Sequence, residues 1–261
     1  MTGSVGIETC VLLVGFVAGW LSAVAAGSTI FAFPMLVFLG LPPIVANATT
    51  SLGQLPAFLG SLGGYRRHLG ATRHWLRFFT PISLVGGLIG AVLLTRTPHP
   101  VFDRLVPFLI LFATLLFMLQ GVISKLTHSS PISITLSKAS PRTRLGLILI
   151  ELLISIYGGY YGGGVGILLL CYFGFLNFAS IHEMNTLKVL LAFAMNAVAG
   201  IYFAFFGLID WPTVLILGAG SFIGGWIGSR MAHRLSLTLV RGFIVVTGLV
   251  CSGQLFYQLW K

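Results

Sequence analysis

Acidic side chains are almost missing: the 261 residues hold five Asp and Glu against fifteen Lys and Arg, and charged residues of either sign make up 8% of the chain. A water-soluble domain carries charge on roughly a quarter to a third of its surface, so a soluble globular fold is excluded. The few carboxylates, Glu8, Asp103, Glu151, Glu183 and Asp210, form no strong pair for acid–base chemistry, and no Ser-His-Asp arrangement accompanies them. Cysteine is equally scarce. Cys10, Cys171 and Cys251 stand singly in apolar stretches, which leaves no metal-ligand spacing and reads as small buried hydrophobes. An enzyme acting on a membrane lipid or thiol is therefore disfavoured, and neither a metal nor a cofactor is expected. The formal charge of +10 does not point to nucleic acid, because the basic residues are scattered at the ends of apolar segments. No basic run precedes the first of these segments, so no cleaved signal peptide is expected.

Apolar residues fill the space the charges leave, at 57% of the chain and a mean hydropathy of +1.01. That composition belongs to an all-α integral membrane protein. Ten apolar segments run over 7–25, 28–40, 43–65, 78–95, 101–124, 145–158, 162–177, 182–208, 212–231 and 236–258. Those near two glycine-rich interruptions fall short of the roughly 20 residues a straight span requires, so broken or re-entrant short helices are expected there. Basic residues then set the orientation. Arg66, Arg67, Arg73, Arg77, Lys125, Lys138, Arg142, Arg144, Arg230, Arg234 and Arg241 share one side of an alternating chain, while Arg96, Arg104 and Lys261 face the other. The positive-inside rule places the first group in the cytoplasm. Both termini are expected outside the plasma membrane.

The chain repeats itself. Ser83-Leu84-Val85-Gly86-Gly87-Leu88-Ile89-Gly90 returns as Ser221-Phe222-Ile223-Gly224-Gly225-Trp226-Ile227-Gly228, an offset that Asn47 and Asn185 share. Five segments per half is an odd number, so equivalent loops lie on opposite faces and the expected architecture is two inverted-topology repeats. Their bounds are 1–124 and 145–261, joined by a polar cytoplasmic linker at 125–144. Inverted repeats with discontinuous helices are common in secondary transporters, which hold substrate near the midplane. The Gly86/Gly90 and Gly224/Gly228 pairs have the spacing of close helix packing.

The interruptions carry the functional reading. Gly158-Gly159-Tyr160-Tyr161-Gly162-Gly163-Gly164-Val165 lies inside apolar sequence, and Ala25-Ala26-Gly27-Ser28-Thr29 is its softer counterpart. Glycine weakens a helix, and broken backbone inside a membrane is tolerated where protein or a water-lined cavity satisfies it. The helix resuming after each break offers its N-terminus to an anion, through Ser28 and Thr29 in one half and Gly163, Gly164 and Val165 in the other. Asn47, Thr50, Ser51 and Gln54, with Asn185, begin the following spans and either cap them or line a polar site. Lys188 is a cation within a span, where it either snorkels toward the cytoplasmic end or pairs with Glu183, Glu151 or an anionic substrate. Glu151, His182 and Glu183 are candidates for carrying a coupling proton.

Several of these runs resemble the TauE/SafE sulfite exporter family. They are Ala46-Asn47-Ala48-Thr49-Thr50-Ser51-Leu52 with Gly64-Tyr65-Arg66-Arg67, Tyr157 through Ile167, Asn185-Thr186-Leu187-Lys188, and Gly207-Leu208-Ile209-Asp210-Trp211-Pro212. The resemblance covers nearly the whole chain. It departs in the first half, where relatives often carry several glycines and then a proline, and some carry a lysine near Ser51. It implies transport of small sulfur-containing anions such as sulfite, thiosulfate or sulfonates. The expected mechanism is alternating access, one repeat rocking against the other around the bound anion. An anion channel with the same site, a transporter of another small anion and a non-transporting scaffold are the alternatives. Beyond the anion and the lipid bilayer, a coupling proton or Na+ and a homo-oligomer are open as partners.

Overall fold

The computed structural model describes residues 2–25, 28–65, 69–128, 140–176, 178, 180–231 and 237–259. Ala26, Gly27, Arg66, Arg67, Lys138, Arg234 and Lys261, used in the sequence reading, lie outside the described residues. Eleven helices make up the described part: α1 Thr2–Ala25, α2 Ser28–Phe38, α3 Pro43–Gly53, α4 Leu55–Tyr65, α5 Leu69–Arg96, α6 His99–His128, α7 Pro141–Tyr160, α8 Val165–Phe173, α9 Ile181–Phe205, α10 Trp211–Met231 and α11 Leu237–Leu259. Six of them, α1, α5, α6, α7, α9 and α10, are long and apolar enough to cross a membrane.

The helix lengths correct the expected short pairs. Only the second member of each pair is short: α2 has 11 residues and α8 has 9, about 16 and 13 Å of helix. Their predecessors are full-length, α1 at 24 residues and α7 at 20. Segment 145–158 is shorter than α7 because hydropathy misses the helix's polar start. Ser140 caps the helix by accepting from the Thr143 amide, and Pro141 sits where its missing N–H does no harm. Helix α6 likewise runs to His128, into the expected linker. The single segment 43–65 is divided at Gln54. Pro56 has no amide proton to give Leu52, and its ring crowds that carbonyl, so the chain turns there.

The tightest helix contacts are made backbone to backbone. A Cβ on Gly224 of α10 would stand 1.9 Å from the Phe16 carbonyl oxygen of α1, and one on Gly159 of α7 would stand 2.1 Å from that of Gly87 in α5. No larger residue permits such an approach. Elsewhere α10 also packs on α3 and α4, α5 on α9, and α6 on α11. Large apolar side chains face outward, among them Leu153 at 67% exposure, Leu215 at 71% and Phe205 at 84%. Lys188, Glu151, Asn47 and Gln54 are all 3% exposed or less. This polarity suits a hydrocarbon surround.

Candidate functional site

The site begins where α7 stops. Gly162 and Gly164 have φ of 75° and 77°, the left-handed region that disfavours a side chain. Between them the chain turns and starts α8, with Gly164 as the residue before its first turn. The Tyr157 hydroxyl donates to the Gly163 carbonyl and holds the turn from inside. Tyr161 packs edge-on to Phe33 of α2, ring centroids 5.4 Å apart, so the interruption in the second half rests on the short helix of the first.

A cavity of about 20 Å³ lies at this junction, room for about one water molecule. Ser22 of α1, Ser28 and Thr29 opening α2, Phe58 of α4, Gly162, Val165 and Gly166 around the start of α8, and Lys188, Ala192 and Asn196 of α9 line it. Both helices that follow an interruption therefore turn their first residues to one buried space. Each N-terminus contributes up to about half a positive charge, and Lys188 adds a whole one. Its Nζ donates to Asn185 Oδ1 at 3.1 Å. An ammonium has three N–H donors, so two have no protein acceptor among the described residues.

Around this lining, hydrogen bonds determine which polar atoms remain available. Ser28 Oγ donates to Gln54 Oε1 at 2.6 Å, leaving Gln54 Nε2 buried and without a partner. Thr50 Oγ1 is also buried and unpartnered. Asn47 is placed otherwise than expected for an anion contact. Its Nδ2 donates to the Tyr160 carbonyl at 2.9 Å, and the atom left without a partner is the acceptor Oδ1. Asn47 thus ties α3 to the end of α7. Ser51 uses its hydroxyl on the Asn47 carbonyl at 3.0 Å.

Of the sequence candidates, the cavity wall includes Ser28, Thr29, Val165 and Lys188. Gln54 and Asn185 touch that wall through Ser28 and Lys188, whereas Gly163 and Gly164 form the turn behind it. Asn47, Thr50 and Ser51 are not part of the lining. Gly162 and Gly166 belong to the interruption itself, whereas Ser22, Phe58, Ala192 and Asn196 were not anticipated. Ala192 and Asn196 follow Lys188 at steps of four, one stripe of a helix, and that spacing could have found them. Glu151 lies apart, between α7 and α5, accepting from Ser83 Oγ at 2.7 Å. His182 and Glu183 are half-buried in the first turn of α9, where Ser180 caps the Glu183 amide. Among the described residues no cluster of His, Cys, Asp or Glu is arranged to hold a metal.

A buried lysine and hydroxyls lining a cavity where two interrupted helices meet, within a bundle whose outer surface is apolar, suit a multi-pass membrane transporter. Residues 11–255 match the family model described as Sulfite exporter TauE/SafE, and the chain belongs to that family. It is 26% identical over 261 residues to a probable membrane transporter protein of Haemophilus influenzae, covering 97% of each chain. It is also 26% identical to the probable membrane transporter protein ORF9 of a Sinorhizobium species, covering 92% of this chain and 88% of that one. The probable membrane transporter protein YfcA of Escherichia coli K12 is 23% identical, covering 94% and 88%. No solved structure matches the chain.

Proposed function

We propose that the protein is a secondary transporter of small sulfur-containing anions in the plasma membrane, working by alternating access. The observation that carries this reading is the cavity shared by two half-length helices and Lys188, a buried cation with donors to spare. A compact oxyanion meets the donors of that space, Lys188 Nζ, the Thr29 hydroxyl and the Gly166 amide, beside Ser28, whose hydroxyl is held by Gln54. Gln54, Thr50 and Asn185 stand behind them, and Asn47, Ser51, Gly163 and Gly164 hold the surrounding turns in place. The family's description as sulfite exporters supports sulfite and its chemical neighbours as the class of substrate.

The narrow cavity, with room for about one water molecule, favours a carrier over a channel: separation of the surrounding helices would open it to the anion. Two inverted repeats, 1–124 and 145–261 about a linker at 125–144, would supply that motion. The pattern of helix contacts supports them: α1 packs on α10 as α7 packs on α5, α3 and α4 pack on α10 as α9 packs on α5, and α6 meets α11. Exchanging equivalent helices of the two halves leaves these pairings unchanged. The basic residues named above support cytoplasmic placement of the linker and external termini.

Counterflow in proteoliposomes tests the reading, with labelled sulfite, thiosulfate and methanesulfonate as probes. Saturable exchange is expected for at least one anion, falling at least about tenfold in Lys188→Ala, the loss of one charge-assisted contact. Undiminished exchange in both Lys188→Ala and Asn196→Ala would reject this site. Flux that never saturates would favour the channel.

A further inference from the structure

Among the described residues Glu151 is the one acidic residue buried completely, at 0% exposure in the middle of α7. Its Oε1 accepts from Ser83 Oγ of α5 at 2.7 Å and from Ser155 Oγ at 3.3 Å, while its Oε2 is enclosed with no partner. From the geometry we propose that Glu151 carries a coupling proton, taken up and released once per transport cycle; this inference rests on the transport reading above.

The surroundings bear on the chemistry. From α8 the titratable group facing Glu151 is Tyr172, whose hydroxyl donates to the Leu147 carbonyl at 2.9 Å, one turn along α7. From α5 it meets the hydroxyl of Ser83. Helix α9 packs on α7, with Met195 against Gly158, and its ionisable residues, His182, Glu183 and Lys188, lie in its first turns. Arg142 and Arg144 are at the start of α7, Arg144 about 10 Å of helix away. The carboxyl thus sits among hydroxyls.

Two hydroxyl donors to one oxygen leave an ionised carboxylate short of partners, and a neutral carboxyl lacks an acceptor for its O–H on the other oxygen. Neither state is fully satisfied in this arrangement, so loading and unloading the proton favours different packings of α7 on α5. Helix α5 packs in turn on α9, which carries Lys188, and α7 runs directly into the turn at Gly162. Packing between the helices does not require an acid here. Gly86 meets the stretch Leu152–Ile156 as Gly224 meets Phe16–Trp20, and the position in α1 that matches Glu151 is Gly15. Only an O–H bond forms or breaks: the proton comes from water on one face and returns to water on the other.

A pH-sensitive dye inside proteoliposomes, read alongside labelled anion, measures protons moved per anion. Thiosulfate and methanesulfonate stay ionised near neutral pH and report directly. Sulfite carries protons of its own, so for it the wild-type value is compared with Glu151→Gln at equal anion flux. The wild type is expected to move protons with the anion, and Glu151→Gln to lower protons per anion at least about tenfold. Ser83→Ala, which keeps the carboxyl and removes its closest donor, is expected to displace the pH midpoint of coupled flux; this arm decides the matter should Glu151→Gln fail to fold. Saturable net uptake of anion by the wild type without protons, undiminished coupling in Glu151→Gln, or an unmoved midpoint in Ser83→Ala would overturn the proposal and leave anion transport standing. Absence of exchange with all three anions would remove the transport reading, and this inference with it.

Discussion

Replacing Gly164 by alanine isolates the turn that opens α8. At a φ of 77° an L-residue other than glycine pays roughly 1–2 kcal/mol. Space is not the obstacle, because the added Cβ would meet its nearest neighbour, the Ala113 side chain, at 3.4 Å, ordinary van der Waals contact. Alanine recovers about 0.4–1 kcal/mol by restricting the unfolded chain. The expected net loss is therefore about 1 kcal/mol, a fall in melting temperature of about 2–4 °C for a chain near this size. Asparagine, which tolerates the left-handed region better, should lose less. Gly146→Ala supplies a control of opposite sign: it lies within α7, its Cβ meets nothing within 4 Å, and alanine favours a helix by roughly 0.5–1 kcal/mol. Thermal unfolding in detergent with an intrinsic tryptophan signal measures all three. Gly164→Ala melting with the wild type, or Gly164→Asn losing as much as alanine, would refute a turn held in this geometry. Because Val165 and Gly166 follow directly, Gly164→Ala should also weaken anion exchange.

Gly224→Ala forces a methyl against the Phe16 carbonyl and should destabilise by about 1–3 kcal/mol, whereas Gly253→Ala, with nothing within 4 Å of its Cβ, should not; thermal melting in detergent separates them. Ser28→Ala removes the only donor to Gln54 Oε1 among the described residues and should lose about 1–3 kcal/mol, while Ser28→Thr, which keeps the hydroxyl, should lose less in the same measurement.

The second interruption was plain in the sequence because so much glycine inside an apolar run cannot sustain a continuous helix. Lys188 was legible for a similar reason, as a lone cation in hydrocarbon sequence. Asn196 was missed because the polar runs that stand out head the spans after each break, while the stripe continuing down α9 is mostly apolar. Pro56 was available as a sign that segment 43–65 bends, yet continuous hydropathy hid it. Asn47 shows a deeper limit. An amide offers a donor and an acceptor, and which one remains depends on the Tyr160 carbonyl, 113 residues away. No local pattern contains that information. The burial of Glu151 is likewise a tertiary fact, created by Ser83 on another helix.

The backbone-tight contacts have one more implication. Helix α1 is clasped to α10 from the far end of the chain, and α7 to α5 from the near end. Each clasp joins a helix from residues 1–124 to a helix from residues 145–261, so the two lengths of sequence are bound into one another. Helix α10 gathers α1, α3 and α4, helix α5 gathers α7 and α9, and α9 meets α3 and α4 between the two groups. The first and last parts of the chain are interlaced like clasped hands.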